Sequence, residues 1–154
     1  MGRVPAIRDD EITLFESGAI LEYVVERYGR HPAAPPNSPS RPAYLQWVDF
    51  SEATLQRPLD YVLSNEHARP EREPIASFAA EARERATHAL VLVEPALAPG
   101  PLLLGSDCSG ADLMLGHWLL SAKHLGVPTP EFPNANRYLG LLVTRPASLR
   151  AVAA

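Results

Sequence analysis

Residues 109–115 read Ser109-Gly110-Ala111-Asp112-Leu113-Met114-Leu115. A hydroxyl residue followed three places later by an acid has the form of a capping box. Ser109 can accept from the N–H of Asp112, and the Asp112 carboxylate can reach back to the N–H of Ser109. The residues that follow are apolar, through Trp118, Leu119 and Leu120. A box leading so apolar a run predicts a buried helix from Ser109 to about His124, its start fixed internally. Cys108 precedes the cap, where a side chain can staple onto Leu113. That position predicts a small, buried, inert thiol rather than a nucleophile.

Outward from this helix the pattern stays helical. Toward the C-terminus, one helix is expected over Asn134–Val143 and a short one after Pro146. Toward the N-terminus, Ala79, Ala82, Ala86, Leu90 and Val93 form one stripe of a helix from about Glu71 to Leu97. Before it, Tyr44, Leu45, Trp47, Val48, Leu55 and Leu59 predict a helix from about Arg41 to His67. Pro42 falls in its first turn, where proline is tolerated. Pro58 falls inside it and predicts a kink near Leu55. Tyr44, Trp47 and Trp118 are expected in the core, with Tyr44 or Trp118 as alternative pocket residues. Residues 30–40 carry four prolines, which forbid a regular helix or a central strand. They read as a linker and as the domain boundary.

The first 29 residues are different. Val4-Pro5-Ala6-Ile7 is apolar, Arg8-Asp9-Asp10-Glu11 is a polar turn, and Ile12-Thr13-Leu14-Phe15 alternates with period two. This predicts a β-hairpin with Pro5 at a strand start or edge. Ile20, Leu21, Val24, Val25 and Tyr28 then make the stripe of a helix that stops at Gly29. Glu16 and Ser17 stand at its start, where a carboxylate and a hydroxyl suit free N–H groups. The fold class is mainly α: a small β-β-α unit (1–29), a linker (30–40) and an all-helical domain (41–154).

Composition narrows the function. The 154 residues contain one cysteine, so no internal disulfide forms. Fourteen basic and 18 acidic residues give a net charge of -4, which speaks against a nucleic-acid surface. Apolar runs such as Ala89–Val93 are far shorter than the roughly 20 residues of a membrane helix. No signal-peptide core follows Met1, so a cytoplasmic protein is expected. His31, His67, His88, His117 and His124 lack metal-ligand spacing, and no metal site is expected. Glu81-Ala82-Arg83-Glu84-Arg85 reads as a solvated helix face.

Together these pieces resemble the soluble glutathione transferases. The carriers are Gly2-Arg3-Val4-Pro5-Ala6-Ile7, Leu14-Phe15-Glu16-Ser17-Gly18-Ala19-Ile20 and Tyr28. Further on, Phe50-Ser51-Glu52-Ala53-Thr54-Leu55, Ser109-Gly110-Ala111-Asp112-Leu113, Phe132-Pro133-Asn134, Tyr138-Leu139 and Arg145-Pro146-Ala147 complete the likeness. The resemblance implies a thioredoxin-like N-terminal domain, here only as its ββα half, before the helical domain. It implies glutathione as co-substrate, with no other cofactor. It implies a cis Val4-Pro5 bond whose Val4 backbone pairs with the cysteinyl residue of glutathione, a one-residue strand addition. The γ-glutamyl carboxylate is then expected at the Ser17 N–H and hydroxyl, at a helix N-terminus, and its ammonium at Glu16.

The family's thiol-activating Tyr, Ser or Cys lies in a first βαβ unit, and no residue of this chain matches it. Met1 stands immediately before the matching motif, so a start codon assigned inside a longer reading frame is expected. Two functions follow. One is a transferase conjugating glutathione to a small electrophile if the βαβ segment belongs to the product. The other is an inactive glutathione-binding or interaction module. The family also implies a homodimer, with contacts from helices 17–28 and 41–67, no membrane partner and no nucleic acid.

Overall fold

The alternating segments near the N-terminus pair as expected. In the computed structural model, which describes residues 4–29, 34–66, 73, 75–127 and 130–153, β1 (Ala6–Asp9) and β2 (Ile12–Phe15) form a two-stranded antiparallel sheet. The register is Ala6 with Phe15, Ile7 with Leu14, Arg8 with Thr13 and Asp9 with Ile12. Strand β1 therefore runs through Arg8 and Asp9, which the sequence placed in the turn. Asp10 makes that turn with φ 51°, a conformation Asp tolerates better than most residues.

Helix α1 (Ser17–Tyr28) follows. Its expected apolar stripe is only partly covered: Val25 is buried, Val24 and Tyr28 are exposed. Gly29 caps α1 in an extended conformation, its N–H on Val25 O at 3.0 Å.

The helix expected over 41–67 consists of three parts. These are α2 (Arg41–Asp49), a π-helical segment (Phe50–Gln56) and α3 (Arg57–Glu66). Pro58 has no N–H, and its ring would clash with the carbonyl of Thr54 in a regular helix. Widening the preceding turns relieves that clash, so the kink expected near Leu55 appears as a π segment. Leu55 is buried within it, and Leu59 and Val62 are buried beyond it.

Helices α4 (Ala76–Ala96), α5 (Gly110–His124), α6 (Pro133–Val143) and α7 (Pro146–Ala153) complete the chain. Expected features at residues 1–3, 30–33, 67–72 and 128–129 lie outside the described residues. The main core is built by Leu55, Leu59, Leu90, Val93, Leu115, Leu119 and Tyr138, on the π segment and α3 to α6. Each fully buried leucine contributes roughly 1.5–3 kcal/mol.

A second cluster holds the ββα unit on the helices. Tyr44, Val48, Ala111 and Met114 are buried in it, with Leu21 of α1 packed against them. The Tyr44 hydroxyl donates to Glu22 at 2.6 Å, and Arg41 pairs with the same carboxylate at 3.4 Å. Burial and the Glu22 carboxylate push the Tyr44 phenol well above its ordinary value. Gly110 permits this junction, because a Cβ there would lie 2.6 Å from the Tyr44 hydroxyl.

Candidate functional site

The hairpin register determines what lies beside the start of α1. Pairing of Ala6 with Phe15, continued by the same register, sets Val4-Pro5 alongside Glu16-Ser17. The Val4-Pro5 bond is cis, and Val4 is 92% exposed. Glu16 has φ 74° and ψ 117°, a sparsely populated conformation for a residue with a Cβ. Its carbonyl still accepts the first helical bond, from Ile20 N at 2.9 Å.

These residues form one wall of a cleft of about 530 Å3, and the π segment forms the other. Val4, Pro5, Glu16 and Ser17 all line it, so all four sequence-expected residues come together. Glu52 and Gln56 face them from the π segment.

Neither Glu16 nor Ser17 caps α1 with its side chain, contrary to the capping expected of them. The Ser17 hydroxyl instead donates across the cleft to the Glu52 carboxylate. Gly18 admits that carboxylate, since a Cβ on Gly18 would meet Glu52 Oε2 at 2.9 Å. Glu52 and Gln56 are the site residues that sequence reasoning missed. The available signal was their i, i+4 spacing, one face of a helix, immediately before Pro58.

The other expected features are structural. Both arms of the Ser109–Asp112 box are made, and Asp112 is fully buried. Asp112 also accepts from Leu103 N and the Tyr138 hydroxyl, each at 2.9 Å. Burial, then the Asp112 charge, pushes the Tyr138 phenol far up. Cys108 packs against the main core, and Leu113 is half exposed. Burial raises the Cys108 thiol above its ordinary value, opposite to what a nucleophile needs. Tyr44 is core, and Trp118 is half-buried, its indole N–H without a partner among the described residues. Among the described residues, no group of His, Cys, Asp and Glu could hold a metal ion, and no helix is long and apolar enough to cross a membrane.

The family model for the glutathione S-transferase N-terminal domain matches residues 1–26. The glutathione S-transferase-like protein gedE of Aspergillus terreus is 32% identical over 161 residues, covering 94% of this chain and 70% of that protein. The chain belongs to the glutathione S-transferase family. Glutathione S-transferase GstB of Escherichia coli is 28% identical, covering 98% of the chain and 74% of that protein. Among solved structures, the ternary complex of BphK, a bacterial GST, superposes with TM-score 0.86 at 25% identity. It covers 99% of this chain and 74% of that one. Ure2p5 from Phanerochaete chrysosporium, cocrystallised with 1-(S-glutathionyl)-2,4-dinitrobenzene, has TM-score 0.87 at 23% identity and 99% coverage, spanning 74% of that chain. Strands β1 and β2 with α1 are thus a short thioredoxin-like N-terminal part, and α2 to α7 the helical domain of a glutathione S-transferase fold.

Proposed function

We propose that this glutathione S-transferase-like chain binds glutathione in the cleft between the hairpin and the π segment. The supporting observation is that Val4, Pro5, Glu16 and Ser17 converge on one cleft. The Val4 backbone pairs with the cysteinyl residue as an added strand. The γ-glutamyl carboxylate takes the Ser17 N–H and hydroxyl at the start of α1, where the helix dipole favours an anion. The Glu16 carboxylate takes the ammonium, and glutathione is the co-substrate with no further cofactor. Ser109 and Asp112 serve the fold and not the ligand.

In this reading residues 1–29 are the partial glutathione-binding domain, 30–40 the linker and 41–154 the helical domain. The protein is cytoplasmic and a homodimer. Exposed Val24 and Tyr28 on α1, and Leu45, Tyr61 and Leu63 on α2 and α3, support contacts from those helices. The reaction is attack of the glutathione thiolate on a small electrophile, in a product that carries the family's thiol-activating residue. A second reading, an inactive glutathione-binding module, is favoured by the described lining of the cleft, which has neither tyrosine nor cysteine and whose one serine, Ser17, is given to the γ-glutamyl carboxylate. Incubating the purified chain with glutathione and 1-chloro-2,4-dinitrobenzene separates the two. Turnover above background excludes the inactive module; binding without turnover excludes conjugation by this chain.

A further inference from the structure

The cleft holds a second carboxylate with a different origin from Glu16. Glu52 belongs to the helical domain and accepts the Ser17 hydroxyl hydrogen across the cleft. Gly18 lets it reach the first turn of α1, because any Cβ there would press on Glu52 Oε2. Glu52 therefore holds the same donor that the glutathione reading gives to the ligand's carboxylate. The two cannot share it. A serine hydroxyl has one hydrogen to give, and two carboxylates side by side repel.

A ligand carboxylate takes Ser17 only when Glu52 turns to another partner. The γ-glutamyl head brings that partner with it, since its ammonium sits on the carbon that bears its carboxylate. Gln56, the other polar side chain of this wall, donates through Nε2 to Asp60 at 3.0 Å and can offer an ammonium only an uncharged amide oxygen. Glu52 is thus the group of the helical domain placed to answer the new charge.

We propose that Glu52 is a specificity-determining residue of the cleft, exchanging the Ser17 hydroxyl for the ammonium of an α-amino-acid head group. The proposal rests on the glutathione reading and deepens it. Ammonium recognition is divided between Glu16 of the ββα unit and Glu52 of the helical domain, so the cleft selects a zwitterionic head through both domains.

Isothermal titration of the full chain with two peptides tests this. One is glutathione; the other is glutaryl-cysteinyl-glycine, identical but for the missing ammonium. The wild type is expected to prefer glutathione by more than about tenfold, the worth of a charge-assisted hydrogen bond. Glu52→Gln keeps an acceptor for Ser17 and removes the charge. It is expected to lose about tenfold of that preference, while Glu52→Asp, which keeps the charge, retains more of it. The preference is a ratio within one variant, so a general loss of folded protein does not mimic the effect. An unchanged ratio in Glu52→Gln overturns the proposal while leaving the glutathione reading intact. Binding of neither peptide by the wild type overturns the glutathione reading itself, and this proposal with it.

Discussion

Asp112 accepts from Ser109 N at 2.7 Å, Ser109 Oγ at 2.6 Å, Leu103 N at 2.9 Å and Tyr138 Oη at 2.9 Å. It is fully buried, and the Ser109 and Tyr138 donors are buried with it, so its removal takes a partner from groups that water does not reach. Asp112→Ala is expected to destabilise the protein by about 3 kcal/mol or more, as the loss of a buried hydrogen-bonded network does. Urea unfolding followed by circular dichroism measures this; a midpoint within error of the wild type contradicts it. The box itself was legible because a cap relates residues three apart. The Leu103 and Tyr138 partners were not, because they lie 9 and 26 residues away and no local pattern encodes such a distance. The same limit explains the site. Glu16 and Ser17 are adjacent in the chain, whereas the Ser17–Glu52 contact spans 35 residues.

At the scale of elements, the hairpin is fastened to α1 by Asp9. Its carboxylate accepts from the Tyr23 hydroxyl at 2.6 Å and the Tyr28 hydroxyl at 2.5 Å, with Arg27 at 3.4 Å. The Tyr23 bond and then the Tyr28 bond hold the Asp9 carboxyl below its ordinary value of 3.8. A depressed carboxylate stabilises the folded state fully above its unfolded value, and the contribution is lost as pH falls through the folded one. The fastening is therefore expected to hold at pH 5 and to loosen only below about pH 3.8. Amide chemical shifts of Ala6–Phe15, followed against pH in the wild type and in Asp9→Asn, check this. A hairpin transition above that range, or an identical transition in Asp9→Asn, contradicts it. The hairpin and α1 were legible from periodicity, but this clamp was not, since Asp9 reads locally as a turn residue. Helix α6 makes the same point. Its first N–H groups, of Asn134 and Ala135, are satisfied by Glu94 of α4 at 2.8 and 3.0 Å, a cap delivered from 40 residues away.

At the scale of the molecule, two clusters of buried side chains set the position of the cleft. The main core fixes the π segment through Leu55, and the Tyr44 cluster fixes α1 through Leu21. Glu52 and Ser17 meet where the elements held by these two clusters come together, so the site belongs to the junction of the two parts of the fold. That junction was only half legible. Pro58 announced a break in the helix, but not that a π segment would turn Glu52 and Gln56 toward the hairpin. Glutathione is proposed to bind the cleft through Ser17 at the start of α1. Isothermal titration of the 154-residue chain with glutathione, wild type beside Ser17→Ala, tests it most directly. Saturable binding is expected of the wild type, and an affinity lowered about tenfold in Ser17→Ala, the loss of one charge-assisted hydrogen bond. Absence of saturable binding by the wild type, or equal affinities in the two proteins, contradicts it.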